Sequence, residues 1–408
     1  MNNSALVLAR HQLQQLQSDH LLRTLRVAKT ATAAHQTFGD KAYRAFCSND
    51  YLGLANDALI NAALIEGVQQ YGSGSGASHW VSGHSQAHEH LQSRLVRFQS
   101  EYIPECTSLL FSTGFAANLS VITALSQLSA PGEVSLYSAN LNHASIIDGV
   151  RLAQKMFDVK LTRFDTNALE ALKAQLANDS RSLKIIITDA VFSMDGHIAP
   201  LAELLDLATQ FDALLMVDDA HGFGVLGDKG HGVLSSLKLH SDRWVYVGTL
   251  GKAAGVSGAF VCAQKSLTQW ISQKARPHIY STASPPALAH ALCASLDLIE
   301  GERGQQKRRH LSHLISLFKQ QAVFEHFQLM PSDTPIQPLI LGSNEVALSV
   351  SKALDDLGFM VPAIRPPTVP LNTARLRITL CAEHDEADVL ALVQTLRDIE
   401  STLFGKSA

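Results

Sequence analysis

The stretch WVYVGTLGKAAGVSGAFVCA, residues 244–263, holds two short apolar runs joined by a link of small residues. Each run, WVYV and GAFVCA, reads as a strand buried on both faces. A parallel crossover needs about a dozen residues or more, and this link is short and glycine-rich. One strand of the sheet is therefore expected to run antiparallel. The link also carries Lys252, set among glycine, alanine and serine. A lysine ordinarily keeps its ammonium in water while its stem lies over apolar surface. Here the small neighbours leave room for another object to approach the backbone. Two readings stand: a tight turn with a snorkelling lysine, or an amine desolvated until it is partly neutral and nucleophilic.

Upstream the same rhythm repeats. SLLF, EVSLY, DVKLTRF, LKIIIT and ALLMV are short apolar runs, most of them separated by helix-sized connections such as TNALEALKAQLAN and LAELLDLATQF. That alternation predicts an α/β domain whose mainly parallel sheet lies between helices. Its expected extent is residues 53–290. Ahead of it, in residues 1–52, ALVLARHQLQQLQSDHLLRTLR (5–26) reads as an exposed helix and YRAFCS as a short strand. Beyond it, residues 291–408 read as a small α+β unit: strand IQPLIL, helix EVALSVSKALDDLG, strands around FMVPAI and ARLRITL, and helix EADVLALVQTLRDI.

Composition narrows the function classes. Of 408 residues, 46% are hydrophobic and only 17% charged, against about 25% charged in typical domains, so a large core is affordable. The net charge of −4 gives no electrostatic argument for nucleic acid or an acidic membrane. No apolar run reaches the roughly 18 residues of a membrane span, and MNNSALVLARHQLQQLQ lacks a cleavage pattern. The five cysteines, Cys47, Cys106, Cys262, Cys293 and Cys381, form no C-x-x-C pair and suggest reduced thiols in the cytoplasm. Small-molecule chemistry is the expectation.

Ligands of open parallel sheets bind beyond the carboxyl ends of the strands. Several polar groups fall there. ALLMVDDAHGFGVLG places Asp218 and His221 just past a buried strand, where a carboxylate is costly unless paired or catalytic. Either acid of the Asp218–Asp219 pair could instead cap a helix; Asp218 is taken as the one facing a ligand. SLLFSTGFAANLSVITAL reads as strand, glycine turn and helix, so the amides near Gly114 and Phe115 could face an anion such as phosphate. His143 and Ser193 follow the strands EVSLY and LKIIIT.

Three other motifs fail on context. YGSGSGAS has a G-x-G-x-x-A pattern but follows a helical segment, without an acid about 20 residues on. GTLGKAAG has Tyr246 where a Walker motif needs glycine and Ala253 where it needs Ser or Thr. SHWVSGHSQAHEHL has four histidines without the H-E-x-x-H arrangement, so a polar helix face is expected there and no metal.

The segments SNDYLGL, GSGSGASHWVSGHSQAHEHL, STGFAANL, NLNHAS, SMDG, DDAHGFGVLG, GTLGKAAG, RPPTVP and ARLRITL occur in this order along nearly the whole chain. Together they resemble the α-oxoamine synthases of the fold-type I pyridoxal phosphate enzymes. The resemblance implies a seven-stranded large domain, a small C-terminal domain and a homodimer with its site at the interface. It also implies the cofactor pyridoxal 5'-phosphate, held by Lys252 as a Schiff base. By the same resemblance Asp218 pairs with the pyridine nitrogen, His221 and Ser193 bond the phenolic oxygen, and His143 stacks on the ring. Gly114, Phe115 and Thr249 help place the cofactor, and Lys252 moves the substrate's Cα proton. Arg377 takes the amino-acid carboxylate, assisted by Asn49 and His143, while Arg23 (or its neighbour Arg26) and Thr368 lie near the acyl substrate. The implied reaction is a decarboxylative condensation of L-alanine with a pimeloyl thioester, on coenzyme A or acyl carrier protein. Glycine- or serine-using sister reactions, a signal-molecule synthase, and transamination are the alternatives. His79 and Trp80 stand where relatives often carry smaller or basic residues, so the acyl channel is expected to differ.

Overall fold

The computed structural model describes residues 4–19 and 21–405. The chain opens with α1 (Ala5–Ser18), the hairpin β1 (His35–Phe38) and β2 (Lys41–Ala45), then α2 (Ala58–Tyr71) and α3 (Gln86–Gln99). The central alternation follows: β3 (Cys106–Phe111), α4 (Gly114–Leu125), β4 (Val134–Ala139), α5 (Ala144–Phe157), β5 (Lys160–Phe164), α6 (Leu169–Ala177). It continues with β6 (Leu183–Asp189), α7 (Leu201–Gln210), β7 (Ala213–Asp218), α8 (Val233–Leu237), β8 (Trp244–Thr249) and β9 (Ala259–Gln264). Four helices come next, α9 (Lys265–Lys274), α10 (Arg276–Tyr280), α11 (Pro286–Glu300) and α12 (Glu302–Gln321). The remainder is β10 (Gln328–Leu329), β11 (Ile336–Gly342), α13 (Asn344–Asp356), β12 (Phe359–Met360), β13 (Ala363–Ile364), β14 (Ala374–Thr379) and α14 (Glu386–Phe404).

The large sheet has seven strands in the order β3-β9-β8-β7-β6-β4-β5. All neighbours are parallel except that β9 runs antiparallel to both β3 and β8. The short link between residues 247 and 258 demands that reversal. Both faces of the sheet are covered. On β6, Ile185 and Ile187 enter one apolar core while Ile186 enters the other; on β8, Val245 and Val247 oppose Trp244 and Tyr246 in the same way. This period of two explains why such strands read as unbroken apolar runs. From β4 the chain steps outward to β5 and then returns to β6 on the other side. That switch opens a crevice at the carboxyl ends.

The small sheet has the order β10-β11-β14-β13, and β1, β2 and β12 form a third. Parallel pairing of β12 with β2 ties the N-terminal segment to the C-terminal part of the chain. The boundary expected at 290/291 lies inside α11, which packs on α2 and α3.

The helix expected over residues 5–26 departs from the structure: α1 ends at Ser18, and residues 21–27 are not helical. Residue 20, inside that expectation, lies outside the described residues. No residue of α1 is buried, so no packed face extends the helix, and short helices depend on such packing. The end is closed instead by Leu21 and Leu22, whose amides donate to Leu16 O at 2.7 and 3.0 Å.

Gly67 marks the contact of α2 with α11: a Cβ there would sit 2.9 Å from Ala287 Cα and 3.0 Å from Ala287 O. Backbone cannot swing aside as a side chain can. Gly67→Ala gains up to about 1 kcal/mol of helix propensity but incurs overpacking of about 1–3 kcal/mol. A lowered denaturant midpoint is therefore expected, and an unchanged or raised one would show that the two helices separate freely.

Candidate active site

A cavity of about 340 Å³ opens at the carboxyl ends of the central strands. Its wall is assembled from segments that the topology delivers one after another. The start of α4 gives Gly114 and Phe115, the turn after β4 gives His143, and the end of β6 and its following loop give Asp189 and Ser193. The end of β7 gives Asp218 and then His221, and β8 with its link gives Thr249 and Lys252. Asn49 reaches the same cavity from the N-terminal segment.

One end is built for an anion. Thr113 caps α4, accepting from Ala116 N at 3.1 Å. The amides of Gly114 and Phe115 belong to the first turn, which an α-helix leaves without intrahelical partners. A Cβ at Gly114 would lie 2.7 Å from the Thr249 methyl, so a larger residue would require Thr249 to shift.

Asp218 forms the deep wall. It is 6% exposed; Ala220 N donates to its Oδ1 at 2.9 Å and Asn118 Nδ2 to its Oδ2 at 2.5 Å. Asn118 also donates to Ser145 Oγ at 2.9 Å, while its own Oδ1 is buried with no partner. Ser145 completes a chain to His143. Ser145 N donates to His143 Nδ1 at 3.2 Å, and its hydroxyl lies 2.7 Å from the same nitrogen. His143 Nδ1 is thus the acceptor, and in the neutral ring the proton sits on Nε2. Burial lowers the His143 pKa, with Asp218 acting against that shift.

Asp219, next in sequence, points the other way. Tyr246 OH and Val233 N donate to its Oδ2 at 2.8 and 2.7 Å, and it lines no part of the cavity. Of the two adjacent acids, Asp218 alone faces the ligand space.

Lys252 Nζ lies 3.0 Å from His221 Nε2, and His221 Nδ1 lies 2.5 Å from Tyr51 OH. Burial pushes the lysine amine below its ordinary range, with Asp218 and Asp189 pulling upward. Burial, then the neighbouring Lys252, holds His221 well below the usual imidazole range. Asp189 is displaced in the opposite sense: burial and then the charge of Asp218 keep its carboxyl well above the usual value. Its Oδ2 accepts from His143 N at 2.9 Å, so it also fixes the turn that carries the histidine.

Arg377, on β14, reaches the large domain. Its Nε donates to Ser193 O at 2.6 Å, and its two terminal nitrogens stand 3.3 and 3.2 Å from Asn49 Oδ1. Two expected residues lie apart. Arg23 and Thr368 are exposed and outside the cavity wall. Arg26 is engaged elsewhere, ion-paired with Asp355 at 2.7 Å and stacked over Tyr43. The sequence alone does not mark Asn118, Tyr51, Ser145 or Asp189 as site residues. Their roles come from hydrogen bonds between distant segments, for which spacing gives no signal.

His79, His84 and His88 bring ring nitrogens within 4.8 Å of one another. Each is engaged in a local network. His84 meets Glu89 at 2.7 Å and His79 at 2.8 Å, while His88 accepts from Ser85 N as part of the α3 capping box and meets Ser284 O at 2.9 Å. A cation would have to displace that cap.

The chain matches the family described as aminotransferase class I and II over residues 43–396. It is 52% identical over 386 residues to an 8-amino-7-oxononanoate synthase of Cupriavidus necator, which spans 92% of this chain and 93% of that one. Among solved structures it is similar to a serine palmitoyltransferase with PLP, at TM-score 0.85 and 26% identity over 97% of each chain. It also resembles the 8-amino-7-oxononanoate synthase of Francisella tularensis, at TM-score 0.73 and 27% identity, over 88% of this chain and 98% of that one.

Burial raises the Asp219 pKa to about 7, although Val233 N and Tyr246 act against it. An unfolded aspartate titrates near 3.9. The protonated carboxyl therefore contributes stability below about pH 4, and the contribution is lost as pH rises through about 7. Against Asp219→Asn, which has no proton to lose, the wild type should lose ground in denaturant midpoint between pH 5 and pH 8. A constant difference would mean that Asp219 stays ionised in the fold.

Proposed function

The chain belongs to the 8-amino-7-oxononanoate synthases within the class I and II aminotransferase family, and from that premise we propose how the cavity works. The enzyme is a pyridoxal 5'-phosphate-dependent acyltransferase of biotin synthesis that condenses L-alanine with a pimeloyl thioester and releases carbon dioxide. The observation that carries the reading is one wall holding both Lys252, its amine shifted toward neutrality, and Asp218, a buried carboxylate with a lone pair left for the ligand space.

The residues fit the cofactor. Gly114, Phe115 and Thr249 would hold its phosphate at the start of α4, Asp218 its pyridine nitrogen, Ser193 and His221 its phenolic oxygen, and Lys252 its aldehyde carbon. When bound, it supplies an electron sink for the carbon next to the substrate amine. Everything else falls to the chain. Asp218, kept in place by Asn118 and Ala220 N, would hold a proton at the ring nitrogen. His143, its Nδ1 engaged by Ser145, would cover one face and have Nε2–H left to donate. With its amine free, Lys252 would be the base placed to take the Cα proton of alanine. Arg377 and Asn49 orient the carboxylate, which must stay in place through acyl transfer and then leave as carbon dioxide.

Arg23 and Thr368 remain proposed acyl-substrate contacts. A homodimer is supported by Trp80, Val81 and Tyr280, which are 52, 80 and 70% exposed around the loop that follows α2 and beside α10. No helix among the described residues is long and apolar enough to cross a membrane. A cytoplasmic enzyme fits that finding and the free cysteines.

Two measurements test the reading. Borohydride reduction of the loaded protein followed by peptide mapping should leave the pyridoxyl group on Lys252; finding it on Lys265 or Lys274 would displace the assignment. Alanine with pimeloyl thioester should release thiol and carbon dioxide in equal amounts, and Asp218→Asn should lower that rate by at least about 100-fold, as loss of a preorganised electrostatic partner does. Pyruvate formed with amination of an added keto acid, and no thiol, would establish transamination instead.

A further inference from the structure

Asn118 lies one helical turn after Gly114 on α4, so the amides that face an anion and the side chain that touches Asp218 come from one rigid element. The residue is buried in the cavity wall. Both hydrogens of its amide are engaged, one on Asp218 Oδ2 at 2.5 Å and one on Ser145 Oγ at 2.9 Å. Its Oδ1 is buried with no partner. Turning the amide over would set Oδ1 against Asp218 Oδ2, acceptor against acceptor. A buried acceptor left unpaired needs a reason, and here it is the delivery of two N–H groups from one residue. Ser145 comes within reach because α4 and α5 pack closely at Gly149, where a Cβ would stand 2.9 Å from Ile122 Cδ1 and 3.5 Å from Leu119 Cα.

Each N–H has a consequence for a proton. Ser145 Oγ, accepting from Asn118, has its one hydrogen left for His143 Nδ1 at 2.7 Å, and Ser145 N donates to the same nitrogen at 3.2 Å. Two donors aimed at Nδ1 leave no place for a proton there. For Nδ1 to become protonated the hydroxyl must turn round and accept, and Asn118 already fills its accepting side. At Asp218, the N–H groups of Asn118 and Ala220 favour the ionised carboxylate.

We propose that Asn118 is a positioning residue that sets two protonation states with one amide: it keeps Asp218 ionised, so that the proton of a bound pyridine ring stays on the ring nitrogen, and through Ser145 it keeps His143 a neutral donor at Nε2. The proposal rests on the reading of Asp218 and His143 as partners of the cofactor ring. Every contact it uses lies behind those two side chains, so a cofactor held by Lys252, Ser193 and His221 leaves all of them in place. Its use is a division of labour. A His143 that carries hydrogen on Nε2 can donate to a substrate oxygen but offers no lone pair there, which leaves Lys252 as the base for the Cα proton.

His143 is faced by Asp218 from β7, Asp189 from β6, His221 after β7 and Lys252 after β8, and Asn118→Leu alters none of these charges. Two signals are followed in the full chain. The first is the pH dependence of deuterium exchange at the His143 Cε1 hydrogen, resolved by peptide mapping, with the chain freed of cofactor and with it loaded. The second is the ring-nitrogen resonance of isotope-labelled pyridoxal 5'-phosphate in the loaded enzyme. Asn118→Leu should raise the His143 midpoint by at least about one unit, roughly tenfold in proton affinity, because the freed Ser145 hydroxyl can turn to accept. The same variant should move the ring-nitrogen resonance toward that of a neutral pyridine. In Ser145→Ala, which cuts the second arm alone, the ring resonance should keep its wild-type position. Asn118→Val, smaller and equally without donors, serves if Asn118→Leu folds poorly. A packing role would lower stability without moving either signal, so no change, or a change in only one of the two, overturns the proposal. The His143 measurement on the cofactor-free chain is independent of the thiol and carbon dioxide assay, and either reading can fail alone.

Discussion

Desolvation at the carboxyl ends of the central strands is the constraint on which the rest of the site depends. Two carboxyl groups, two imidazoles and an amine share one cavity, and burial shifts the amine, both imidazoles and the Asp189 carboxyl toward their neutral forms. An isolated buried charge would cost several kcal/mol. The fold avoids that cost by giving each group a hydrogen-bonded partner, from the same turn or from a distant segment. Asn118 and Ala220 N serve Asp218, Ser145 serves His143, and Tyr51 serves His221. A groove of the same shape without these partners would hold the same side chains in other protonation states.

Much of this order can be read from the sequence because it is local. Strands with alternate residues facing two cores appear as unbroken apolar runs, and the link from Gly248 to Ser257 is too short and too rich in glycine for a parallel return. Lys252, Asp218, His143 and Ser193 stand at strand ends, where a chain order of such groups carries information. Asn118 and Tyr51 escape the same reading. Their partners are 100 and 170 residues away, and an asparagine inside a helix or a tyrosine in SNDYLGL has many ordinary uses. The first helix is shorter than its sequence suggests for a related reason: its apolar residues mimic a packed face, but all lie exposed or half-exposed in the structure.

Two regions of the chain close the site together. Arg377 comes from β14, and Asn49 from the segment after β2, which is bound to β12 of the C-terminal part. Arg377 meets the large domain directly through Ser193 O, and Asn49 shares the cavity wall with Ser193. The buried Arg375–Asp195 pair runs across the same contact. The position of the Arg377 guanidinium is thereby made to depend on how the small sheet sits against the loop after β6.

The contrast between Asp218 and Asp219 shows how little sequence distance is needed to change a role. Asp218 ends β7, and its neighbour in register is Asp189 on β6. Extended backbone sends adjacent side chains to opposite faces. Asp218 therefore meets the crevice, while Asp219 turns into the side where Tyr246 and the start of α8 provide donors. Asp219 organises the loop that returns through Gly232, whose own backbone leaves no room for a Cβ beside Asp219 Oδ2 and Tyr246 OH. One acid faces the crevice, while the other takes its donors from the fold through Oδ2. The pleat makes that division, since shifting the strand by one residue would exchange the two roles.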